Sequence, residues 1–269
     1  MKNVDNTSAY TGFAQVYDLF MDNIPYEEWG GYLKSLLEEQ GVKKGLIADL
    51  GCGTGAITEY LCQKGYDMIG IDNAEEMLEI ARDKALEKYL DILYLEQNME
   101  EMELFGTVSA FVSICDSINY IIEEKELLQV FRLVNNYLDP GGIFIFDMNT
   151  MYKYKNILAQ NTFAENRENC SFIWDNYYYE EEQINEYDLT IYIKEGEQEE
   201  ENRFQRFDEV HYQRAYTLRK MRELIEKAGM EFIAAYDALT KEEPREESER
   251  IYIIAREKKQ AGKYYKENR

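Results

Sequence analysis

The sequence predicts a doubly wound α/β fold that carries a small antiparallel β insertion, and three patterns support this prediction. Between residues 46 and 147, short apolar segments alternate with segments of helical periodicity, as in parallel strands joined by helices. Glycine or polar residues follow the ends of the apolar segments. From Phe163 to Tyr212, aromatic and β-branched segments are separated by acidic turns, which favours antiparallel strands.

Composition limits the kinds of partner that the protein can have. The chain has 269 residues, of which 45% are hydrophobic and 31% charged, as is typical of a large globular domain. It has no apolar segment of membrane-spanning length and no signal-peptide core, so we expect a cytoplasmic protein without membrane contact. The net charge of −23 disfavours nucleic acid and favours small molecules or cationic partners. Four scattered cysteines and a single histidine predict buried thiols in a reducing compartment and no metal site.

Two amphipathic helices are predicted before the first strand. Apolar side chains recur at helical spacing between Ala9 and Met21, and again between Trp29 and Leu37. Residues 1–40 would therefore form a helical cap on the core or a lid over a binding site. The other expected divisions are an α/β domain (41–150 and 214–257), an insertion that caps the substrate (151–213) and a charged tail (258–269).

The elements of the α/β domain follow from apolar runs and helical periodicity. A first strand ends near Asp49. Helices are then predicted at Ala56–Lys64, Ala74–Lys88 and Lys125–Leu138, and strands at Tyr66–Ile71, Ile92–Leu95, Val108–Ile114 and Ile143–Phe146. The helix at Lys125–Leu138 is predicted to stop at Asp139-Pro140-Gly141-Gly142, before the strand at Ile143–Phe146.

The second half of the chain is predicted to contain three insertion strands, then a helix and a hairpin. The insertion strands are SFIWDNYYYE, YDLTIYIKEG and RFQRFDEVHY, with a turn at Glu195-Gly196-Glu197. Helical periodicity from Leu218 to Ala228 stops at Gly229. The strands Phe232–Ala238 and Ile251–Ala255 are joined by a loop too short for a crossover helix, so they should pair antiparallel.

The stretch LIADLGCGTG, at Leu46 to Gly55, is the most informative motif. An apolar strand ends in Asp49, and glycines follow at alternate positions before a helix begins. Such a turn brings the backbone close to a ligand, and the carboxylate at the end of the strand suits a cationic group better than a phosphate. The motif therefore predicts a loop that binds a nucleoside cofactor.

Other polar residues should gather beside this loop, because ligands of doubly wound sheets bind at the carboxyl ends of the strands. The candidate polar positions all follow predicted strands: Asp49 to Gly55, Asp72, Gln97 to Met99, Cys115 to Asn119 and Asp147.

An NAD-binding loop is the first alternative. Gly51, Gly53 and Ala56 satisfy the loose pattern G-x-G-x-x-A, and Asp72 has the spacing of a ribose-binding acid. Against this alternative stand the leading Asp49, the predicted antiparallel hairpin and the lack of a hydride-transfer constellation. The pair Tyr60 and Lys64 lies on the helix directly after the loop and is interpreted as coincidence.

The motif DLGCGTG, with the acid at Asp72, resembles the first motif of class I S-adenosylmethionine-dependent methyltransferases. The resemblance covers most of the chain and implies a Rossmann-like sheet of six parallel strands and one antiparallel strand. Tyr17-Asp18 and the CDSINY segment at Cys115 to Tyr120 further resemble a bacterial group of small methyltransferases of unassigned substrate. That group, like glycine N-methyltransferases, carries a late β insertion.

The resemblance implies a cofactor site for S-adenosylmethionine, with S-adenosylhomocysteine as product. Asp49 and the glycine loop would hold the methionyl end, Asp72 would accept the ribose hydroxyls, and Asn98, where an Asp is common, would contact the adenine. The implied cofactor-binding residues are Tyr10, Asp49, Gly51, Cys52, Gly53, Thr54, Gly55, Asp72, Asn73, Met77, Gln97, Asn98, Met99 and Cys115.

The candidate catalytic residues are Tyr17, Asp116 and His211. Tyr17 would reach the methyl group from the lid, and Asp116 would orient an amine or cap a helix. His211, in HYQRAY at the return from the insertion, would be a general base or a surface residue. Asn119 and Arg214 are the predicted substrate-binding residues, with Arg214 on a substrate carboxylate.

The leading hypothesis is a methyltransferase that acts on a small polar acceptor. The alternatives are an NAD-linked oxidoreductase and a non-catalytic relative that binds the cofactor and docks a basic partner on its acidic insertion.

Overall fold

A computed structural model describes residues 14–21, 25–195 and 203–259 of the chain. Its larger sheet has seven strands. They are β1 (Leu46–Leu50), β2 (Asp67–Asp72), β3 (Ile92–Glu96), β4 (Val108–Ser113), β5 (Leu138–Asn149), β10 (Met230–Asp237) and β11 (Arg250–Glu257). Their spatial order is β10-β11-β5-β4-β1-β2-β3, and only β11 is antiparallel to its two neighbours. The predicted sheet and its terminal hairpin are therefore confirmed.

Helices cover both faces of this sheet. They are α2 (Tyr26–Glu39), α3 (Ala56–Gln63), α4 (Glu75–Glu87), α5 (Glu124–Tyr137) and α6 (Leu218–Lys227). The central strand β4 shows how one strand serves both layers, because successive side chains point to opposite faces. Phe111 belongs to the core under α5 and α6, whereas Ala110 and Val112 belong to the core under α2 and α3.

The predicted stop of the helix at Asp139-Pro140-Gly141-Gly142 is confirmed, because α5 ends at Tyr137, but the next strand begins earlier than Ile143. Strand β5 already begins at Leu138, and the segment forms its irregular first part, with a register shift opposite Val108 and Ala110. Gly141 has a φ of +82°, a conformation that glycine adopts at no steric cost. The glycine pair thus bends a strand here.

The insertion is a separate four-stranded antiparallel sheet, one strand more than predicted. Its strands are β6 (Thr162–Asn166), β7 (Cys170–Tyr179), β8 (Ile184–Lys194) and β9 (Phe204–Arg214), and a π-helix at Lys153–Leu158 precedes them. Strand β6, which was not predicted, has only five residues, too few to show a clear strand pattern in the sequence. Its pairing with β7 holds it in the sheet. The predicted turn at Glu195-Gly196-Glu197 lies largely outside the described residues.

The first helix, α1 (Ala14–Phe20), connects the insertion to the glycine loop. Val16 and Phe20 pack into the apolar cluster under the insertion, where Phe20 meets Phe172 at a ring distance of 4.7 Å. Ala14 packs instead beside Met77 of α4. The first part of the predicted helix, from Ala9 to Phe13, lies outside the described residues.

None of the helices in the described ranges has the length and apolarity to cross a membrane. All four cysteines are free thiols, and only Cys170 is fully buried.

Candidate active site

Positive φ angles at alternate positions shape the loop between β1 and α3. Gly51, Gly53 and Gly55 have φ angles of +71°, +52° and +79°. A Cβ atom on Gly55 would lie 2.4 Å from the hydroxyl of Tyr94, and one on Gly51 would lie 2.6 Å from the side chain of Ser117. The loop therefore needs glycine both for backbone conformation and for close packing. Gly55 caps α3 and does not line the adjacent cavity.

Asp72, at the end of β2, is held beside this loop by two backbone amides. The amide of Gly53 donates to one carboxylate oxygen at 2.8 Å, and the amide of Ala74 donates to the other at 3.0 Å. Burial raises the pKa of Asp72, and the backbone hydrogen bonds oppose that rise. Each oxygen keeps a lone pair with which it can accept a further hydrogen bond.

Asp49, at the end of β1, is a buried carboxylate whose charge is poorly compensated. Its side chain accepts a hydrogen bond from the hydroxyl of Thr58 at 2.7 Å. Among the described residues it has no ion-pair partner. Burial raises its pKa to about 7, the hydrogen bond from Thr58 opposes this, and the charge of Asp72 adds to it. A cation entering beside Asp49 would stabilise the ionised form.

A cavity of about 270 Å³ lies against the loop. Of the predicted cofactor residues, Tyr10 lies outside the described residues, and Gly55 does not line the cavity. The others line the cavity together with Tyr17: Asp49, Gly51, Cys52, Gly53, Thr54, Asp72, Asn73, Met77, Gln97, Asn98, Met99 and Cys115. The structure thus brings together residues spread over nearly a hundred positions of the sequence.

Gln97 and Asn98 contribute to the cavity in different ways. The side chain of Gln97 is bonded at both ends to the backbone of Glu103, at 3.2 and 2.8 Å, so it shapes the loop after β3. The exposed amide of Asn98 accepts a hydrogen bond from Asn73 at 3.2 Å. Its oxygen has a second lone pair, which can accept a bond from an amino group.

Two tyrosines of the N-terminal helices line the cavity as a bonded pair. Tyr17 of α1 and Tyr26 of α2 are joined by a hydrogen bond between their hydroxyl groups. Burial, with the neighbouring Tyr26 and Cys115, raises the pKa of Tyr17 well above its ordinary value. Tyr17 is therefore a neutral phenol that can donate a hydrogen bond, and it is a poor general base.

Helix α1 is fastened to the glycine loop through Asp18. One carboxylate oxygen of Asp18 accepts a hydrogen bond from the hydroxyl of Thr54 at 2.6 Å. The other oxygen accepts one from the ammonium group of Lys84 on α4 at 2.7 Å. These contacts form a latch between α1 and the cavity wall.

His211 is not a surface residue, because its side chain is only 1% exposed. Its Nε2 atom lies 3.1 Å from a carboxylate oxygen of the buried Glu209, and its Nδ1 atom lies 3.2 Å from the hydroxyl of Tyr120. Tyr120 lines the cavity, whereas His211 does not. Any influence of His211 on a bound molecule therefore passes through Tyr120.

Asp116 lies behind the cavity wall, in a buried ionic cluster. Arg250 of β11 bonds Asp116 at 2.5 Å and Asp147 at 2.6 Å. The amide of Gln213 donates to the second oxygen of Asp116 at 2.7 Å. Cys115 and Asp116 both have left-handed backbone conformations, with φ angles of +61° and +55°. Asp116 thus holds a strained turn next to the cavity.

The two predicted substrate-binding residues have other partners in the structure. The buried amide of Asn119 bonds the backbone of Asn149 at 3.2 and 2.9 Å and the carbonyl of Arg214 at 2.8 Å. The guanidinium of Arg214 donates to the carbonyl of Ile122 at 2.8 Å and packs over the ring of Tyr216. Neither side chain lines the cavity. The predicted contacts with a substrate are therefore replaced by contacts that fix the 115–122 segment to the insertion.

Comparison with known proteins gives a consistent result. Residues 47–142 match the family model described as a methyltransferase domain. A Bacillus subtilis protein named "Putative methyltransferase YqeM" is 35% identical over 93% of this chain and 98% of its own length. The chain belongs to the S-adenosylmethionine-dependent methyltransferases. The NAD-linked alternative is set aside by this membership.

A solved structure and a more distant relative extend the comparison. The S-adenosylmethionine-dependent methyltransferase from Clostridium acetobutylicum has a TM-score of 0.81 and 27% identity, covering 92% of this chain and 98% of that one. A dTDP-3-amino-3,4,6-trideoxy-alpha-D-glucopyranose N,N-dimethyltransferase from Streptomyces venezuelae is 26% identical, over 50% of this chain and 56% of its own length.

The cavity of this methyltransferase fits its cofactor chemically. The buried Asp49 offers an anionic site for the ammonium of a methionyl group, and the bonded carboxylate of Asp72 can still accept two hydroxyl groups. The Met77 and Met99 side chains give an apolar wall suited to a flat base. When bound, S-adenosylmethionine supplies an electrophilic methyl group on a sulfonium sulfur.

Five residues that the methyltransferase structure makes prominent had no role predicted from the sequence. Tyr26 and Tyr120 line the cavity, Asp18 holds α1, Glu209 bonds His211, and Arg250 bonds Asp116. Only position offers a retrospective clue. Asp18 follows Tyr17, Tyr120 closes the CDSINY segment, and Glu209 lies two residues before the sole histidine on the same strand face.

Proposed function

We propose that this methyltransferase acts on a small polar acceptor that enters the cavity beside the glycine loop. One observation carries the proposal. Tyr17, Tyr26 and Tyr120 line the same cavity as Asp49 and Asp72, so hydroxyl groups are available besides the atoms suited to the cofactor.

The likeness to an amino-sugar N,N-dimethyltransferase from Streptomyces venezuelae supports an acceptor of this size. An amine or hydroxyl group can be bonded by neutral phenols without the desolvation of a fixed charge. Methyl transfer is an in-line displacement, so the main task of these side chains is to align the accepting atom with the methyl group.

The proposed roles divide the cavity residues into two groups. Asp49 binds the ammonium of the methionyl group, the loop backbone bonds its carboxylate, and Asp72 accepts both ribose hydroxyls. Asn98 contacts the adenine, flanked by Met77 and Met99. Tyr17 and Tyr120 orient the acceptor, whereas Asp116 acts on the cavity only by holding the 115–122 segment.

Calorimetry with S-adenosylhomocysteine tests the cofactor roles. We expect Asp72→Asn to weaken binding about ten- to a hundredfold, because charge-assisted hydrogen bonds contribute about 1.5–3 kcal/mol. Asp67→Asn is the matched control, since Asp67 occupies the exposed opposite end of the same strand. Equal affinities of the Asp72→Asn and Asp67→Asn proteins would contradict the assignment.

A panel of small acceptors tests the proposed substrate class. Amino sugars, amino acids, small amines, phenols and hydroxy acids would each be incubated with the full-length protein and S-adenosylmethionine. Formation of S-adenosylhomocysteine above the acceptor-free rate identifies a substrate. Turnover only with proteins or nucleic acids would contradict the proposal.

A further inference from the structure

Three side chains form a hydrogen-bonded chain from beneath the insertion to the cavity. Glu209 and His211 are two residues apart on β9 and therefore point to the same face of the insertion sheet. Both are buried, with exposures of 5% and 1%. Tyr120 comes from the other side, from the 3-10 turn at Ser117–Tyr120 that follows β4. The order along the chain is Glu209, His211, Tyr120 and then the cavity.

The protonation of the imidazole follows from its two partners. When Glu209 is ionised its carboxylate can only accept hydrogen bonds, so its contact of 3.1 Å with Nε2 places a proton on Nε2. In a neutral imidazole the other nitrogen, Nδ1, then carries a lone pair. Nδ1 lies 3.2 Å from the hydroxyl oxygen of Tyr120, so in this tautomer it can accept the phenolic hydrogen bond. The chain is thus polarised toward His211.

We propose that Glu209, His211 and Tyr120 form a proton relay, in which Tyr120 takes the proton of the acceptor. This inference rests on the proposed function and narrows its substrate class. The relay serves acceptors whose methylated nitrogen or oxygen carries a proton that must leave, such as primary and secondary amines or hydroxyl groups. A thioether or a tertiary amine has no such proton and would not need it.

The proposed step transfers one methyl group to the acceptor and removes one proton from it. A lone pair of the acceptor nitrogen or oxygen forms a bond to the methyl carbon, and the electrons of the carbon–sulfur bond remain on sulfur. The acceptor proton moves to the oxygen of Tyr120 while the phenolic proton moves to Nδ1 of His211. The carboxylate of Glu209 stabilises the resulting imidazolium. Tyr120 is the catalytic residue, and His211 and Glu209 are positioning residues that act through it.

A second set of contacts holds this relay in place. Tyr187 lies directly opposite His211 in the pairing of β8 with β9, and its hydroxyl donates to Gln213 at 2.5 Å. Gln213 also donates to Asp116, which belongs to the turn that precedes Tyr120. The insertion strand and the Tyr120 turn are therefore tied together beside the relay, which keeps the tyrosine within reach of the imidazole.

The single histidine makes a direct test possible without a known acceptor. Full-length protein labelled with ¹⁵N only in histidine gives one imidazole spectrum, that of His211. The relay requires the Nε2–H tautomer of His211. Tyr120→Phe should shift the Nδ1 signal, and Glu209→Gln should raise the population of the Nδ1–H tautomer. Tyr212→Phe is the control, because this neighbour points to the opposite face of β9, and it should leave both signals in place.

Kinetics completes the test once an amine or hydroxyl acceptor has been identified. Tyr120→Phe and His211→Asn should each lower kcat about a hundredfold with little change in KM, as for a lost general base. S-adenosylhomocysteine affinity should stay near wild type in both variants, which separates failure of the relay from failure of the cofactor site. An Nδ1–H tautomer in the wild type, or equal kcat in wild type and Tyr120→Phe, would overturn the relay.

Discussion

Asp49 illustrates how burial prepares one side chain for a ligand. A carboxylate at the end of a central strand is desolvated, and Thr58 compensates only part of the loss. The pKa of about 7, against an ordinary value of 3.8, means that the folded protein resists the negative charge at this position. A bound ammonium group would favour the ionised form of Asp49. The buried carboxylate therefore lowers the stability of the fold and raises the affinity for the cofactor.

This electrostatic state predicts a pH-dependent affinity. Asp49 ionises as the pH rises through about 7, so S-adenosylhomocysteine affinity should increase about tenfold between pH 6 and pH 8. Calorimetry at both pH values measures it, and Asp49→Asn should bind weakly with no such slope. Asp67→Asn should keep the slope of the wild type.

The same pKa shift also acts on folding, with the opposite trend. Because the folded-state pKa lies above the unfolded value, the folded protein holds a proton that the unfolded chain releases between about pH 4 and pH 7. The contribution of Asp49 to the free energy of unfolding therefore falls as the pH rises through this window. Urea titrations of the wild type and Asp49→Asn between these pH values should diverge, and parallel curves would contradict the assignment.

Gly55 is required both for its left-handed backbone conformation and for its close packing against Tyr94. Gly53 is required for its conformation alone. Gly55→Ala places a Cβ atom against Tyr94 in a left-handed conformation, so the free energy of unfolding should fall by about 2–4 kcal/mol. Gly53→Ala has open space at its Cβ, so only the conformational cost of about 1–2 kcal/mol applies. Urea unfolding measures both, and equal losses would show that packing against Tyr94 is unimportant.

Among the elements, α1 is joined to the glycine loop by polar contacts, and we propose that it acts as a lid. It carries Tyr17 into the cavity, packs Phe20 under the insertion and fastens Asp18 to Thr54 and Lys84. The apolar contacts give the helix its place, and the Asp18 latch closes it over the glycine loop. A lid of this kind controls the exchange of ligands more than the stability of the fold.

The latch predicts a change in the rate of ligand release. Lys84→Met removes the ion pair with Asp18 and should raise the dissociation rate of S-adenosylhomocysteine, measured by stopped flow. The loss of stability should be small, because the side chain of Asp18 is 41% exposed. Arg82→Met is the matched control, since Arg82 pairs with Glu75 on the exposed side of the same helix. Equal release rates in the two variants would argue against the latch.

For the whole molecule, Arg250 joins three distant stretches of the chain. It bonds Asp116 after β4 and Asp147 near the end of β5, and its guanidinium lies 5.2 Å from the ring of Trp29 on α2. Through Asp116 the cluster also reaches Gln213 at the end of the insertion. The antiparallel strand β11 is what brings this arginine to the carboxyl edge of the sheet.

Loss of this junction should destabilise the molecule as a whole. Arg250→Met leaves the buried carboxylate of Asp147 and the partly buried carboxylate of Asp116 without this cation, so the free energy of unfolding should fall by about 3–5 kcal/mol. Chemical denaturation measures the change. Arg206→Met, which removes an arginine from an exposed pair with Asp208, should leave the unfolding midpoint near that of the wild type. Similar midpoints for both variants would contradict a structural role for Arg250.

The sequence by itself determined the α/β sheet, its terminal hairpin and the cofactor loop, because each depends on local patterns. Apolar periodicity marks buried strands and helices, and the Asp49 to Gly55 motif has few other physical uses. Only the tertiary structure decided which polar residues meet the cavity. The side chains of Asn119 and Arg214 bond backbone carbonyl groups. The contacts of Tyr120, Glu209 and Arg250 include partners up to 134 residues away in the sequence. Local sequence carries no signal of such partners, because hydrogen bonds and buried ion pairs depend on the atoms that folding brings together.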